Sequence, residues 1–254
     1  MILDKFKLDG KVAFVTGSSS GLGQAMAIAL AEAGADVVCH ARKAGGASET
    51  LEKIAATGRK TAEAAGDMSD KETPRRLIDE ITEKFGRIDI LVNNAGTIRR
   101  SPAVDFTEED WAFVLEVNLS SIFRLSQAAA RKMIEQGGGK IVNIASLLSF
   151  QGGITVPAYT ASKSGVAGLT KAFANEWAKH NINVNAIAPG YFATSNTAAL
   201  QADENRNRQI LERIPAGHWG NPEDLAGAAV FLSSPASDYM QGHVLVVDGG
   251  WMAR

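Results

Sequence analysis

A tyrosine and a lysine four residues apart, Tyr159 and Lys163, have the types and spacing of a pair that could transfer a proton near neutral pH. Pro157 marks the start of a segment with helical apolar spacing that extends to about Lys179, which predicts both side chains on one helix face. A tyrosine hydroxyl titrates at about pH 10, and a neighbouring ammonium favours the phenolate and lowers its pKa. Such a pair alone is typical of an exposed helix face. Its position after Ser146, at the end of a predicted strand, favours a catalytic site.

A glycine-rich turn, Thr16 to Gly23, lies between the first predicted strand and an amphipathic helix. Its glycines have the spacing G-x-x-x-G-x-G rather than the commoner G-x-G-x-x-G. A turn in this position presents backbone N–H groups and the positive end of a helix dipole, and glycines let a pyrophosphate approach the backbone closely. The context of strand, turn and helix therefore predicts phosphate binding.

Two other kinds of site are not supported by the sequence. Ser146 lies in Asn-Ile-Ala-Ser-Leu rather than in the G-x-S-x-G of a hydrolase nucleophile elbow. The four histidines, at positions 40, 180, 218 and 243, are not at metal-ligand spacing, so no metal site is predicted and His180 is interpreted as a helix C-terminal residue. The single cysteine, Cys39, excludes an intramolecular disulfide.

Alternating strands and helices must position these residues. The predicted strands are the short β-rich runs Val12–Val15, Asp36–Cys39, Ile88–Val92, Lys140–Ile144, Val184–Ile187 and Val244–Val247, with a weak seventh strand near Thr61–Ala65. The segments between them, such as Leu22–Ala33 and Leu77–Phe85, have the apolar spacing of one-sided helices. Nearly continuous apolar strands alternating with helices are typical of α/β proteins. We therefore expect one domain, residues 1–254, with a Rossmann-type doubly wound sheet of about seven parallel strands and helices on both faces.

The least regular stretch, residues 190–207, directly follows the predicted strand that ends in Ala188-Pro189-Gly190. Ligands of open α/β sheets bind outside the carboxyl ends of the strands. We therefore expect this stretch to be a substrate lid. An ordinary surface loop is the alternative.

Composition and charge exclude several classes of partner. Lys and Arg number 26 and Asp and Glu 28, a net charge of −2, and neither sign forms a long block, so nucleic acid and membrane surfaces are not expected partners. Two uncharged stretches, 141–162 and 181–202, are long enough to cross a bilayer but contain polar residues, Gly and Pro throughout. Residues 1–11 lack the uninterrupted apolar run of a secretory signal, which predicts a cytoplasmic protein.

Over its whole length the chain resembles the short-chain dehydrogenase/reductase family. The matching motifs are Thr16-Gly17, Gly21-Leu22-Gly23, Asp67, Asn93-Asn94-Ala95-Gly96, Asn118, Ser146, Tyr159, Lys163, Pro189-Gly190 and Asp248-Gly249-Gly250. The resemblance implies nicotinamide-dependent oxidation or reduction of an alcohol/carbonyl pair, usually by a homotetramer. It implies that Tyr159 donates or accepts the proton, that Ser146 bonds the substrate oxygen, and that Lys163 holds the nicotinamide ribose and tunes the tyrosine. Asn118 would hold a water in the proton relay.

The resemblance also outlines a cofactor site. Asp67 would bond the adenine amino group, and Asn94 would support the turn after the fourth strand. Where NAD-type members have an acidic residue at the end of the second strand, this chain has Ala41 followed by Arg42, which can bond a 2′-phosphate. We therefore expect NADP to be preferred, although NAD is expected from the most similar enzymes. The full set assigned to cofactor binding is Gly17, Ser19, Ser20, Gly21, Leu22, Gly23, Arg42, Asp67, Met68, Asn94, Ala95, Gly96, Tyr159, Lys163, Pro189, Gly190 and Thr194.

Within the family, the chain is similar to the sugar-acid enzymes of uronic-acid breakdown, the 2-dehydro-3-deoxygluconate 5-dehydrogenases or 2-deoxygluconate 3-dehydrogenases. The likeness rests on local runs such as Ile98–Arg100, Ser149–Pro157, Arg213–Gly217 and Gly250–Arg254. Gluconate 5-dehydrogenases and 3-oxoacyl reductases are alternatives, as is a catalytically silent dinucleotide-binding regulator, which would normally have lost part of the Ser, Tyr and Lys set. Candidate substrate residues are Arg99 and Arg100 for a carboxylate, Ser146 and Tyr159 at the reacting oxygen, and Gln151 and Tyr191 for hydroxyl groups.

Overall fold

The centre of the molecule is a sheet of seven parallel strands with the order β3-β2-β1-β4-β5-β6-β7, in a computed structural model that describes residues 1–254. All six strand pairings are parallel. The strands are Val12–Val15 (β1), Asp36–Ala41 (β2), Thr61–Ala65 (β3), Ile90–Asn93 (β4), Gly139–Ile144 (β5), Ile182–Pro189 (β6) and Val244–Val247 (β7). The predicted fold class is confirmed, including the weak strand β3.

Helices cover both faces of this sheet. They are Gly21–Glu32 (α1), Ser48–Ala56 (α2), Thr73–Phe85 (α3), Glu108–Leu115 (α4), Ser121–Glu135 (α5), Pro157–Trp177 (α6), Ala198–Ala202 (α7), Glu204–Arg213 (α8) and Ala226–Ser233 (α9). Apolar side chains of α1, α2 and α9 form one core layer with the sheet, and those of α3, α5 and α6 form the other. None of these helices combines the length and the apolar character that crossing a membrane requires.

The strand order reverses between the neighbours β1 and β4. From β1 the following strands β2 and β3 are added on one side, and from β4 the strands β5, β6 and β7 are added on the other. Ligands of doubly wound sheets bind in the crevice at such a point, outside the carboxyl ends of the strands. Thr16 follows β1, Asn94 follows β4 and Ser146 lies two residues beyond β5, so the fold brings the predicted motifs to one edge.

The segment 190–207 is more regular than the sequence analysis expected. It contains a short 3₁₀ turn, Ser195–Thr197, then α7 and the first turn of α8. The helix α8 forms because the Asp203 side chain accepts hydrogen bonds of 3.0 Å from the backbone N–H groups of Asn205 and Arg206. Ile210 then anchors the helix by burying its side chain against the body of the protein.

Candidate active site

The turn after β1 has the form of an anion-binding site. The helix α1 begins at Gly21, its N-cap Ser20 makes no side-chain capping bond, and no acidic residue lies in the first turn. The first-turn N–H groups are thus left for a ligand, as a pyrophosphate requires. Gly23 is required here because a Cβ atom on it would lie 2.2 Å from the carbonyl oxygen of Gly17. These features fit the phosphates of a dinucleotide.

The turn after β4 is built directly onto the phosphate turn. The Asn94 side-chain amide donates to the carbonyl oxygens of Thr16 (2.8 Å) and Gly17 (3.0 Å). The Thr16 hydroxyl oxygen accepts hydrogen bonds of 2.9 Å from the backbone N–H groups of Asn94 and Ala95. Thr16 and Asn94 therefore fix the two loops as one unit, with Gly96 exposed at its rim.

The residues predicted to bind the adenosine half of the cofactor lie at the carboxyl ends of β2 and β3. Arg42 is exposed, forms none of the ion pairs in the structure, and is near enough to Asp67 to help lower the pKa of that carboxyl. The main cause of the lowered pKa of Asp67 is hydrogen bonding from the Ser69 backbone N–H, followed by the Ser69 hydroxyl. Met68 is buried in the core against α3, so its backbone is the part that can face a ligand.

The predicted catalytic pair lies at the start of α6. Tyr159 is half-buried, whereas the Lys163 side chain is buried and donates from Nζ to the carbonyl oxygen of Ile144 at 2.6 Å. The Lys163 Nζ atom is 5.6 Å from the centroid of the Tyr159 ring. Burial lowers the pKa of Lys163 to about 8. Ser146 is buried at the N-cap of the 3₁₀ turn after β5, with its Oγ accepting from the backbone N–H of Leu148 at 3.2 Å.

Burial, Ser146 and Arg100 are the main influences on the pKa of Tyr159 in this structure. Burial raises the pKa of Tyr159 above its usual value of 10.0, and the interaction with Ser146 and the positive charge of Arg100 act in the opposite direction. Lys163 is not among these influences, because its ammonium is directed at a backbone carbonyl and its own charged form is disfavoured by burial. Tyr159 is therefore a neutral phenol at rest, able to donate a proton to a carbonyl oxygen.

Asn118 lies in a π-helical turn, Glu116–Ser120, between α4 and α5. Its side chain accepts from the Thr97 backbone N–H at 2.7 Å and donates to the Thr97 carbonyl at 2.8 Å and to the Ser162 hydroxyl at 3.2 Å. Asn118 thus joins the loop after β4 to the helix that carries Tyr159. The sequence motif identified the residue, but nothing in the local sequence predicted the wide turn, a feature frequent at functional sites.

The two predicted substrate arginines point to different places. Arg99 forms an ion pair with Asp110 of α4, with Nε 3.1 Å from Oδ1, and its guanidinium lies 4.8 Å from the centroid of the Phe113 ring. Arg100 forms no ion pair and is the residue whose charge acts on Tyr159. The charge of Arg100, and not that of Arg99, therefore acts on the predicted catalytic tyrosine.

An aromatic cluster borders the same site. The ring centroid of Tyr191 is 4.6 Å from that of Trp251 and 5.4 Å from that of Trp219. The Arg213 guanidinium of α8 lies 4.0 Å from the centroid of the Trp251 ring, and its Nη2 donates to the Gln151 side chain at 3.3 Å. The sequence analysis gave no role to Arg213, Trp219 or Trp251, because their meeting depends on long-range packing.

The chain after β6 packs against the phosphate turn. A Cβ atom on Gly190 would lie 2.6 Å from the Cα of Asp248, so a glycine there lets β6 run closely past the chain after β7. The Thr194 methyl group approaches Gly21 and would lie 3.5 Å from a Cβ placed there. The start of the predicted lid therefore borders the predicted cofactor groove.

Comparisons with known proteins agree with this geometry. The model of the enoyl-(acyl carrier protein) reductase family matches residues 17–252. The 2-dehydro-3-deoxy-D-gluconate 5-dehydrogenase of Dickeya dadantii (strain 3937) is 57% identical over 255 residues, covering 100% of this chain and 100% of that protein.

Two solved structures have closely similar folds. One is an Agrobacterium tumefaciens protein provisionally described as a 2-deoxy-D-gluconate 3-dehydrogenase, with bound NADP; it is 58% identical, has a TM-score of 0.93, and the match covers 98% of this chain and 99% of that chain. The other is a gluconate 5-dehydrogenase from Burkholderia cenocepacia J2315 in complex with NADP and tartrate, 42% identical with a TM-score of 0.96, covering 100% of both chains.

Proposed function

The chain belongs to the short-chain dehydrogenase/reductase family and is a nicotinamide-dependent oxidoreductase acting on a CH–OH group, and we propose that its substrate is the sugar acid 2-dehydro-3-deoxy-D-gluconate. The choice of an acid as the substrate rests on Arg100, a cation without an ion-pair partner whose charge acts on Tyr159. The relative that is named for this reaction supports the choice of sugar acid.

The proposed chemistry moves one proton and one hydride. A bound nicotinamide supplies or accepts the hydride at the substrate carbon. In reduction, the Tyr159 hydroxyl gives its proton to the carbonyl oxygen, and in oxidation the same oxygen atom of Tyr159 takes the proton of the alcohol. Ser146 donates a hydrogen bond to the substrate oxygen, which gains charge in the transition state and is bound best there.

Lys163 and Asn118 are proposed to supply the proton route. Lys163, with a pKa of about 8, gains and loses a proton near neutral pH and lies next to Tyr159. Its ammonium can also hold the nicotinamide ribose. Asn118 is proposed to hold the relay water through the second lone pair of its Oδ1, since its side-chain amide already donates to Thr97 and Ser162.

Arg100 is proposed to bind the substrate carboxylate, with Gln151 and Tyr191 contacting hydroxyl groups. A guanidinium binds a carboxylate through two parallel hydrogen bonds. The B. cenocepacia relative holds tartrate, a hydroxy acid with two carboxylates, which supports a site built for acids. Arg99, already paired with Asp110, is proposed to hold the loop in place rather than to bind substrate.

The two neighbouring arginines give a matched test. Purified enzyme is assayed with 2-dehydro-3-deoxy-D-gluconate, gluconate and a 3-oxoacyl thioester, and then Arg100→Leu and Arg99→Leu are compared. Arg100→Leu is expected to raise KM for the acid about 10- to 100-fold, as for the loss of a charged hydrogen bond, and Arg99→Leu less than about threefold. Equal effects of the two substitutions, or turnover of the thioester alone, would overturn the proposal.

NADP is the proposed preferred cofactor, with NAD also accepted. Arg42 is exposed and forms no ion pair, and Ala41 places no negative charge near a 2′-phosphate. Both solved relatives described above contain NADP, which supports this preference.

The lid, the assembly and the location are further parts of the proposal. We propose that residues 190–207 act as a substrate lid on a single unit of residues 1–254, supported by the contact of Thr194 with the glycine turn. The homotetramer implied by the resemblance is supported by large apolar side chains on α4 and α5, Trp111 and Phe123, which are 37% and 41% exposed. Light scattering of the purified protein measures the assembly. The cytoplasm is the proposed location, since nicotinamide-dependent catabolism draws on the cytoplasmic cofactor pool.

A further inference from the structure

A buried histidine, His40, connects two loops of the cofactor groove. It lies on β2 with 3% of its surface exposed. The Gly17 backbone N–H donates to His40 Nδ1 at 3.0 Å, and His40 Nε2 lies 2.9 Å from the carbonyl oxygen of Gly66. Gly17 belongs to the phosphate turn, and Gly66 directly precedes Asp67 at the adenine end. The imidazole therefore spans the groove from beneath.

These contacts determine which ring nitrogen carries the proton. A backbone N–H such as that of Gly17 can only donate, so Nδ1 of His40 must be the unprotonated acceptor. A carbonyl oxygen such as that of Gly66 can only accept, so Nε2 must carry the hydrogen. Both bonds are satisfied by the neutral imidazole alone, because a protonated ring would place an N–H of its own against that of Gly17.

Both peptide groups that flank the Gly17 Cα are thereby held. His40 accepts from its N–H, and the Asn94 side chain donates to its carbonyl oxygen at 3.0 Å. The backbone N–H of His40 in turn donates to the Ser18 hydroxyl at 2.9 Å. The His40 ring therefore fixes the Thr16–Gly17 peptide group within the phosphate-binding turn, although it is too deeply buried to meet the ligand itself.

We propose that neutral His40 is a positioning residue for the dinucleotide, holding the phosphate turn and the adenine-side loop in one groove, so that protonation of His40 weakens dinucleotide binding. The proposal depends on cofactor binding and not on the identity of the sugar acid.

The surroundings of His40 favour the neutral form. Burial is the main cause that lowers the pKa of His40 from its usual 6.5, and the Gly66 carbonyl and the charges of Asp67 and Glu63 act in the opposite direction. Arg42 lies near Asp67 and partly offsets its charge. The neighbouring Cys39 is uncharged, because burial raises the pKa of its thiol to about 11. Phe14 of β1 packs edge-on against the imidazole at 6.3 Å between ring centroids.

Two substitutions separate the hydrogen bond from the proton. Asn at position 40 offers a carbonyl oxygen close to the place of Nδ1 but does not titrate, whereas Leu offers no acceptor. Calorimetric titration with NADP, without substrate, is expected to give an about tenfold weaker Kd for His40→Leu at pH 7.5, and a Kd within about threefold of wild type for His40→Asn. At saturating NADP, kcat should be unchanged in both. His180→Asn is the matched control.

The pH dependence is read as a ratio of affinities. The NADP 2′-phosphate itself titrates at about pH 6, and this contribution is common to wild type and variant. The Kd of the wild type divided by that of His40→Asn is expected to rise as the pH falls below 6.5. A constant ratio, or wild-type affinity in a cooperatively folded His40→Leu, would overturn the proposal. Should His40→Leu fail to fold, the ratio for His40→Asn decides alone.

Discussion

The carboxyl edge and the amino edge of the sheet differ in whether their charged side chains have ion-pair partners. At the carboxyl edge, Arg42, Arg100 and Lys163 have no carboxylate partner, and Lys163 bonds only to a backbone carbonyl. At the amino edge, Asp89 is buried against Arg87, with Arg87 Nη2 2.6 Å from Asp89 Oδ1, and Lys140 is paired with Asp238 at 2.7 Å. The same fold therefore leaves these three cations without a carboxylate at one end, where Arg99 alone is paired, and neutralises Arg87 and Lys140 at the other.

The cations at the carboxyl edge are therefore available for ligand binding, whereas the ion pairs at the amino edge stabilise the fold. The buried, unpaired Lys163 destabilises the folded chain, whereas the exposed Arg42 and Arg100 remain available to pair with an anionic ligand. The amino edge also contains a polar cavity of about 510 Å³, but the side chains of Asp89, Lys140 and Asn183 that line it already have protein partners. The cavity is therefore best understood as part of a structural network.

The largest expected effect is at the carboxyl edge. Tyr159→Phe removes the proton donor but no part of the phosphate turn, so kcat is expected to fall at least about 10³-fold. The Kd for NADP and the Tm should stay close to those of the wild type. Turnover near the wild-type level would contradict the assigned role of Tyr159.

Lys163→Met tests the claim that an unpaired cation costs stability. Activity is expected to fall about 100-fold or more. Because the pKa of Lys163 is lowered to about 8, the folded protein holds fewer protons than the unfolded chain between that value and 10.5, and the stability of the wild type rises with pH across this range. Thermal unfolding should show the variant at least as stable as the wild type at pH 7, with the difference shrinking above pH 8. A Tm of the variant several degrees below that of the wild type would contradict the claim that the unpaired Lys163 destabilises the fold.

At the amino edge the expectation is reversed, with stability lost and activity kept. Asp89→Asn breaks the bidentate pair with Arg87 and is expected to cost about 2 kcal/mol of unfolding free energy. Asp238→Asn, whose carboxylate is 67% exposed, is the matched control and should cost less than about 1 kcal/mol. Denaturant unfolding measures both, and equal losses would remove the distinction between the buried carboxylate of Asp89 and the exposed carboxylate of Asp238.

The Asp89 pair also has a defined pH dependence. Burial acts to raise the pKa of Asp89, but the hydrogen bonds from Arg87 and from the Val12 backbone N–H outweigh it, and the pKa is lowered from 3.8. The stabilisation is therefore complete above 3.8 and is lost as the pH falls below it. The stability difference between wild type and Asp89→Asn should shrink in the same range.

The smallest expected effect concerns cofactor choice. Arg42→Ala is expected to weaken NADP binding about tenfold and to leave NAD binding unchanged, since only NADP carries the 2′-phosphate. Calorimetry with each dinucleotide measures the ratio. A wild-type enzyme that prefers NAD, and keeps that preference in the variant, would show that Arg42 is a solvated loop residue.

Much of the scaffold was predictable because it follows from local pattern. The runs Val12–Val15 and Val244–Val247 coincide with β1, which is buried, and with the half-buried edge strand β7, since four apolar residues between turn signals define a strand. The strand β6 is longer than predicted, Ile182–Pro189, because Asn183 and Asn185 interrupt the apolar run. Their side chains instead donate to the carbonyl oxygen of Met240, which makes these buried positions acceptable for asparagine.

The sequence predicted which residues form the site but not where their side chains point. The sequence gives no reason to prefer Arg99 or Arg100 as the carboxylate ligand. The structure separates them, because Asp110 and Phe113 of α4 both contact Arg99. The sequence likewise gives no signal for the role of His40, because that role depends on Gly17 and Gly66, which the fold brings to the two ring nitrogens. Distant parts of the chain decide such contacts, so periodicity along one segment does not reveal them.

The aromatic cluster around Tyr191 gives the chain an optical signal. Of the four tryptophans, Trp219 donates its indole N–H to Asn207 of α8 at 2.7 Å, and Trp251 lies beneath Arg213 of the same helix. Any displacement of α8 would bring both indoles into water and shift their fluorescence to longer wavelength. Trp111 and Trp177, on α4 and α6, would provide a constant background. Motion of the proposed lid can thus be followed in the unlabelled protein, in real time, by its own emission.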